Sequence, residues 1–105
     1  MARRYRVDIT RTAERDLDEI HEFVARDDPA AAARWVAEVE RQMATLSLAP
    51  ARCSIIPEAA DLGRQYRHLL HRAYRTIFRI DGARVLVVRV IHGARLLSID
   101  VLQQR

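Results

Sequence analysis

The chain of 105 residues has little of several residue types, and each scarcity excludes a class of protein. Its single cysteine, Cys53, cannot form an internal disulfide or a structural zinc site, which is typical of a reducing compartment. No apolar run approaches the roughly 20 residues that a membrane span requires. The arginine-rich start leads into alternating residues and not into the apolar block of a signal peptide. The sequence therefore predicts a cytoplasmic protein with no membrane partner.

Lysine is absent, so arginine supplies all 18 basic residues, and the formal net charge is +4. Arginine carries a planar, permanently charged fork that pairs bidentately with carboxylate or phosphate. The chain is therefore equipped to bind an acidic protein segment or RNA. The alternative explanation is the codon bias of a GC-rich genome, and the arginines are spread over both halves of the chain, so total charge localises no binding patch.

Periodicity predicts a strand followed by two helices. Residues 5–9 alternate apolar and polar side chains, which is the pattern of a half-buried strand. Residues 10–25 form an amphipathic helix with Thr10 or Thr12 as N-cap, and its acidic residues, Asp16 among them, are predicted to form the solvent face. A second helix begins at Pro29 after the N-cap Asp28 and runs to about residue 46. The two helices share an apolar seam and form an antiparallel hairpin.

The second half of the chain is predicted to be a long loop and three strands. Residues 50–63 lack helical or strand periodicity, and strands follow at 66–71, 74–81 and 84–92. The last two strands are joined by the hairpin signal Asp81-Gly82. We expect one α+β domain over residues 1–105, in which an N-terminal strand and the helical hairpin precede a C-terminal three-stranded meander. The hairpin packs on one face of the antiparallel sheet.

Strand parity assigns the side chains to the two faces of the sheet. The residues predicted to face the helices are Tyr74, Thr76, Phe78, Ile80, Leu86, Val88, Val90 and His92. The residues predicted to lie on the uncovered face are Arg67, Arg75, Arg79 and Arg89, with Val85, Val87 and Ile91 between them. Such a face fits a protein segment that carries carboxylates, or a phosphate backbone. The alternative is a solvated face on which each arginine pairs locally with an acidic residue.

The chain resembles the ParE branch of the RelE/ParE toxin superfamily over nearly its whole length. The segments that carry this resemblance are Leu17-Asp18-Glu19-Ile20, Asp28-Pro29-Ala30-Ala31-Ala32, Leu46 followed by Pro50, the Tyr-Arg-x-x-Phe-Arg-x-Asp-Gly hairpin at 74–82, and the Val-x-His-Gly-x-Arg segment at 90–95. The resemblance implies the toxin of a type II toxin-antitoxin pair, with a role in plasmid stabilisation, a cognate antitoxin, DNA gyrase as target and no cofactor. We assign partner binding to Arg67, Arg75, Arg79, Arg89, Val87, Ile91 and Arg95.

The same superfamily contains ribosome-dependent mRNA endonucleases, so catalysis is the alternative function. Glu58 would be the base, Arg75 would hold the phosphate and His92 would be the acid. Against this, the lysines of some nuclease members are absent, and His92 is in phase with a buried row. We therefore favour a toxin that acts by binding and is not an enzyme. A degenerate, non-toxic member is a third possibility. No metal site is expected, because His68 and His71 lie on opposite strand faces.

Overall fold

The structure is a computed structural model that describes residues 3–58 and 65–93. Its elements are β1 (Arg6–Ile9), α1 (Arg11–Ala25), α2 (Pro29–Ala44), β2 (Arg67–His71), β3 (Tyr74–Asp81) and β4 (Arg84–His92). The six elements predicted from the sequence are all present, and their ends differ from the prediction by no more than two residues. Short 3₁₀ turns at Thr45–Ser47 and Pro50–Arg52 follow α2. The α+β fold class is confirmed.

Local capping chemistry explains where the two helices begin. The Thr10 hydroxyl accepts a hydrogen bond from the Ala13 N–H at 3.1 Å, so Thr10 is the N-cap of α1. The Asp28 carboxylate accepts from the Ala31 N–H at 3.0 Å, and Pro29 occupies the first helical position of α2. Neither helix, nor any other helix in the described part of the chain, is long and apolar enough to span a bilayer.

Within the described residues, the sheet has four strands in the order β1-β4-β3-β2. Strands β2, β3 and β4 form the predicted antiparallel meander, whereas β1 pairs in parallel with β4. The sheet is therefore mixed, because the chain returns from β1 through the helical hairpin before it reaches β4. Gly82, with φ +59°, lies in the β3–β4 turn, where the Asp81-Gly82 signal predicted a hairpin.

A β-bulge in β4 changes which side chains face the helices. Ile77 of β3 lies opposite Arg89, but the next residue, Phe78, lies opposite Val87, so Val88 is the additional residue. An additional residue reverses strand parity on one side of the bulge. Val87 therefore packs under the helices with Phe78, and Val88 points to the other side of the sheet.

The bulge makes part of the predicted face assignment wrong. Val85 and Val87 were predicted to be exposed opposite the helices, but both are fully buried in the helix-side core. Leu86 and Val88 were predicted to face the helices, but they belong to a cluster on the opposite side. The phase of Tyr74, Phe78 and Ile80 in β3 agrees with the prediction.

Two apolar clusters form the core, one on each side of the sheet. The buried residues of the helix-side cluster are Ala13, Leu17, Val39, Met43, Leu46, Cys53, Phe78, Val85, Val87 and Val90. The buried residues of the loop-side cluster are Ile56, Tyr66, Ile77, Val88 and Ile91. Ile56 and Tyr66 come from the segments on either side of residues 59–64. The face that was predicted to be open is therefore covered as well.

Candidate functional site

The arginines predicted to form an exposed face are mostly buried or bound to other groups. The side chains of Arg75 and Arg89 are only 5% and 7% exposed. Arg89 forms an ion pair with Asp16, which was predicted to lie on the solvent face of the first helix. Arg75 forms an ion pair with Glu58, the candidate base of the nuclease alternative. The prediction that Arg75 and Arg89 lie on an open face is therefore wrong, because a charge that leaves water needs a partner.

Arg89 connects β4 to the first helix. Its Nε and Nη2 atoms donate to the two carboxylate oxygens of Asp16, at 2.7 and 2.9 Å. The Val90 N–H also donates to Asp16, at 2.9 Å. Asp16 is buried and therefore does not belong to the solvent face of α1, where it was predicted. Asp16 lies three residues after Ala13 and four before Ile20, which places it within the buried stripe of the helix. This spacing is the feature of the sequence that indicates its burial.

Arg75 connects β3 to the loop segment on the other side of the sheet. Its Nη1 and Nη2 atoms donate to the two oxygens of Glu58, at 3.1 and 2.6 Å. The Glu58 side chain is 12% exposed, which is too little for the freely solvated loop carboxylate that loop position alone suggests. Bidentate charge-assisted bonds of this kind fix geometry as well as charge. The pair holds the segment around Ile56 and Glu58 against the sheet.

His68 lies on the same side of the sheet as this ion pair, because it is paired with Ile77 across the β2–β3 ladder. Its Nδ1 atom is buried and has no hydrogen-bond partner among the described residues. Burial lowers the pKa of His68, and the positive charge of Arg75 lowers it further, while the negative charge of Glu58 acts in the opposite direction. The imidazole is thus stabilised in its neutral form.

The three residues of the nuclease alternative do not converge. Arg75 and Tyr74 are neighbours on one strand and point to opposite sides of the sheet. His92 is paired with Tyr74, and their rings meet edge to face at 5.7 Å. His92 therefore lies on the side of Tyr74, while Glu58 and Arg75 lie on the other. His92 is also exposed, so the prediction that it is buried is wrong.

The remaining predicted partner-binding residues have different surroundings. Arg67 is paired with Phe78 on the helix side, and its Nη1 donates to the Cys53 carbonyl at 2.7 Å. The prediction that Arg67 lies on the face opposite the helices is therefore wrong. Arg79 does lie on that opposite face, where its Nε donates to Asp81 at 2.9 Å and its side chain is 27% exposed. The hydrogen bond to Asp81 is the main cause of the raised pKa of Arg79.

The apolar members of the predicted binding face are buried. Val87 is fully buried under the helices, and Ile91 is 3% exposed in the loop-side cluster. Their predicted exposure is wrong, since the two clusters cover both faces of the sheet. Arg95 lies outside the described residues.

Exposed apolar residues occur elsewhere, at positions that sequence analysis did not select. Phe23 on α1 is 65% exposed, and Leu70 on the edge strand β2 is 61% exposed. Ile55, 42% exposed, forms a β-bridge with Arg67 beside β2. Phe23 directly precedes Val24 of the buried stripe, so its position off the stripe was the available signal. Large exposed apolar side chains of this kind are candidates for partner contact.

A pocket of about 500 Å³ opens between the helical hairpin and the β2–β3 turn. Arg34, Trp35 and Glu38 of α2 line it from one side, and His71 and Arg72 line it from the turn. In the described ranges, no group of three or more His, Cys, Asp or Glu side chains is arranged to hold a metal ion. The pocket therefore combines cationic and aromatic groups without a metal-ligand set.

Comparison with known proteins gives a matching family and several solved structures of similar fold. The family model described as "ParE toxin of type II toxin-antitoxin system, parDE" matches residues 7–97. The chromosomal ParDE TA system from P. aeruginosa is similar in fold, with a TM-score of 0.66, 24% identity, and coverage of 84% of this chain and 95% of that one. The RelBE2 toxin-antitoxin complex from Mycobacterium tuberculosis matches with a TM-score of 0.54, 28% identity and coverage of 89% and 95%. No curated protein sequence matches significantly.

Proposed function

Because the chain belongs to the ParE toxin family of type II toxin-antitoxin systems, we propose that it inhibits DNA gyrase by binding and that a cognate antitoxin neutralises it. The observation that carries the choice of binding over catalysis is the separation of the candidate catalytic groups. A general base, a phosphate-binding group and a general acid must meet around one substrate. Glu58 and Arg75 lie on one side of the sheet and His92 on the other, where Tyr74 contacts it.

The antitoxin partner is supported by the similar structures, whose names describe a ParDE system and a RelBE2 toxin-antitoxin complex. A protein of this size with large exposed apolar residues at Phe23 and Leu70 also presents surface that a partner would cover. The chain, in this proposal, acts in the cytoplasm and is held inactive there until the antitoxin is lost.

The burial of the arginines narrows the proposed partner-binding surface. Arg75 and Arg89 hold the segments that cover the two faces, so their role in partner binding is indirect. Arg79 keeps 27% of its side chain exposed on the face opposite the helices, and we assign a direct contact to it. Arginine is among the residue types that contribute most to protein–protein binding when a partner covers them.

Expression of the chain without an antitoxin tests the proposal. Gyrase inhibition predicts filamentous cells with damaged DNA, and coexpression of the cognate antitoxin should restore growth. Rapid arrest of translation with cleaved mRNA would contradict the proposal, and normal growth would indicate a member that has lost toxicity. Arg79→Gln should weaken the toxic effect, whereas Arg15→Gln, on the exposed surface of α1, is the matched control.

The mRNA endonuclease is kept as the second candidate because of one observation, the exposure of His92. An exposed imidazole is available to a substrate, which the sequence-based assignment to a buried row did not allow. His92→Gln separates the two functions, since a gyrase inhibitor should tolerate this change and a nuclease that uses His92 as acid should not. Loss of translation inhibition in the variant would favour the nuclease.

A further inference from the structure

The pocket between the helical hairpin and the β2–β3 turn, here called the turn pocket, is lined by Arg34, Trp35, Glu38, His71 and Arg72. Its volume of about 500 Å³ lies within the range of pockets that bind small groups. It lies on the helix side of the molecule, so neither the Glu58–Arg75 pair nor Arg79 contributes to it. The turn pocket is therefore separate from the groups considered above.

The electrostatic character of the turn pocket is set by two arginines. Arg34 and Arg72 are exposed, and neither has an ion-pair partner within residues 3–58 and 65–93. The one carboxylate that lines the pocket, Glu38, is already bound by Arg41 and Gln42 of its own helix. The Arg41 hydrogen bond is the main reason that the pKa of Glu38 is lowered to about 2. Glu38 is thus ionised and satisfied, and two positive charges remain.

The backbone at Arg72 supports a role for its side chain. Arg72 occupies the two-residue β2–β3 turn with φ +55°, in the left-handed region that favours glycine, asparagine and aspartate. A long charged side chain at such a position has an energetic cost that glycine would avoid. Backbone strain of this kind is concentrated at functional positions. Here the strained residue is one whose side chain lines the pocket.

The wall of the turn pocket is aromatic. Trp35 is half-buried and meets the Tyr74 ring edge to face, with the centroids 5.2 Å apart. His71 is oriented by Gln42, whose Nε2 lies 3.0 Å from His71 Nδ1. Tryptophan and arginine are the residue types that most often dominate protein–protein binding energy.

The charges around the pocket favour a single carboxylate over a nucleic acid. A phosphate backbone is bound through several Lys or Arg contacts along its length. Among the described residues two arginines line the pocket, and the adjacent α1–α2 turn carries the exposed carboxylates Asp27 and Asp28, which would repel a polyanion. A side-chain carboxylate on a protein segment brings one charge and an apolar stem, which match the arginines and the Trp35 wall.

We propose that the turn pocket is an anchor site for one aspartate or glutamate side chain of a partner protein. The carboxylate binds to Arg34 and Arg72, and its methylene stem packs against Trp35. The identification of that partner as the antitoxin rests on the proposed function, whereas recognition of an acidic peptide by the pocket does not.

Trp35 is the only tryptophan of the chain, so its fluorescence reports on the pocket directly. The probe is the peptide acetyl-Leu-Glu-Leu-Glu-Leu-amide, compared with the same peptide in which glutamine replaces glutamate. We expect a saturable change in Trp35 emission with the glutamate peptide only. Arg34→Gln and Arg72→Gly should each weaken it about tenfold, as expected for loss of one charge-assisted hydrogen bond. The double control Arg11→Gln/Arg15→Gln, on the exposed face of α1, should bind as the parent does.

Arg72→Gly separates loss of binding from loss of folding. Glycine suits the left-handed turn, so the stability of the protein should be preserved or raised while its affinity for the peptide falls. Equal responses to the two peptides, or no response to either, would overturn the proposal. A response to a single-stranded RNA oligonucleotide in place of the acidic peptide would also overturn it, in favour of a nucleic-acid site.

The same variants are then titrated with the full-length cognate antitoxin. Affinity about tenfold lower for Arg34→Gln, with the double control unchanged, supports the antitoxin as the occupant. Failure of the antitoxin to bind the parent protein would contradict the proposed function while the peptide result stands. Normal antitoxin binding by the Arg34 and Arg72 variants would overturn the antitoxin as the occupant of the pocket.

Discussion

The two sides of the sheet are covered by different structures. Helices α1 and α2, with the 3₁₀ turns that follow them, cover one side, and the segments around Ile56 and Tyr66 cover the other; within residues 3–58 and 65–93 the two clusters hold ten and five buried apolar residues. Each cover is attached to the sheet by a buried arginine–carboxylate pair. Among the described residues fewer apolar side chains hold the loop-side segments, so we expect these segments to depend more on their ion pair.

The two ion pairs differ in how completely they are enclosed. Asp16 accepts from Arg89 and from the Val90 backbone N–H, and both side chains are less than 10% exposed. Glu58 is bound to Arg75 and keeps 12% exposure. Loss of one partner leaves the other charge buried and unpaired, and the cost rises with the degree of burial. This contrast predicts a larger role in stability for Asp16 than for Glu58.

The largest effect is expected for Asp16→Ala. The change leaves the Arg89 guanidinium and the Val90 N–H without their acceptor, so the free energy of unfolding should fall by about 3–5 kcal/mol. Urea denaturation followed by circular dichroism measures this loss. The control is Asp18→Ala, a change at an exposed position on the same helix that should alter stability by less than about 0.5 kcal/mol. Equal stability of the Asp16 and Asp18 variants would contradict the role of the pair.

A smaller effect is expected for Glu58→Ala. Water that reaches the site compensates part of the lost interaction with Arg75, so the free energy of unfolding should fall by about 1–3 kcal/mol. The Ile56 N–H donates to the Tyr66 carbonyl and the His68 N–H donates to the Ser54 carbonyl, so both bonds join the loop segment to the start of β2. These two amides should exchange hydrogen faster in the variant than the amides of α1 do. A uniform loss of protection over the whole molecule would show that the loop-side cover is not a separate unit.

The smallest effect is a dependence of stability on pH that arises from His68. Burial lowers its pKa in the folded state below the ordinary value of 6.5, so the unfolded chain binds a proton more readily. Stability should therefore decrease as pH falls from 6.5 towards the folded pKa, and remain constant in this respect above and below that window. His68→Asn should remove this component of the pH profile. An unchanged slope in the variant would exclude His68 as its origin.

Glu58 affects the pKa of His68, so the pH profile of stability can also be compared between Glu58 variants. The negative charge of Glu58 raises the pKa of His68. Its removal in Glu58→Ala should lower the folded pKa of His68 further and extend the pH window towards more acidic values. Burial, Arg75 and Glu58 are the causes of the lowered pKa of His68, so Asp16→Ala should leave that window unchanged.

The order of elements could be predicted from the sequence because its signals are local. Thr10 and Asp28 are N-caps, and Gly82 marks the hairpin turn, so each boundary depends on residues close to it. Which side chains face the helices depended on a single additional residue in β4, and that could not be predicted by alternation. The apolar run from Val85 to Val88 makes both parities equally apolar, which is the pattern of a strand covered on both sides.

The candidate site was less predictable because charged residues were interpreted by type and not by position. Arg75 and Arg89 were selected as exposed because free arginine prefers water, but partners distant in the chain, Glu58 and Asp16, allow both to be buried. Asp16 is 73 residues from Arg89, so no local pattern connects them. His92 lies on the predicted side of the sheet, but it is the last residue of β4 and is exposed there.

The most direct test of the account is a supercoiling assay with purified gyrase and the purified protein. If the protein acts by binding gyrase, it inhibits supercoiling, the His92→Gln variant inhibits equally well, and added antitoxin restores gyrase activity. Unimpaired gyrase activity, together with mRNA cleavage on ribosomes that is abolished by His92→Gln, would contradict it.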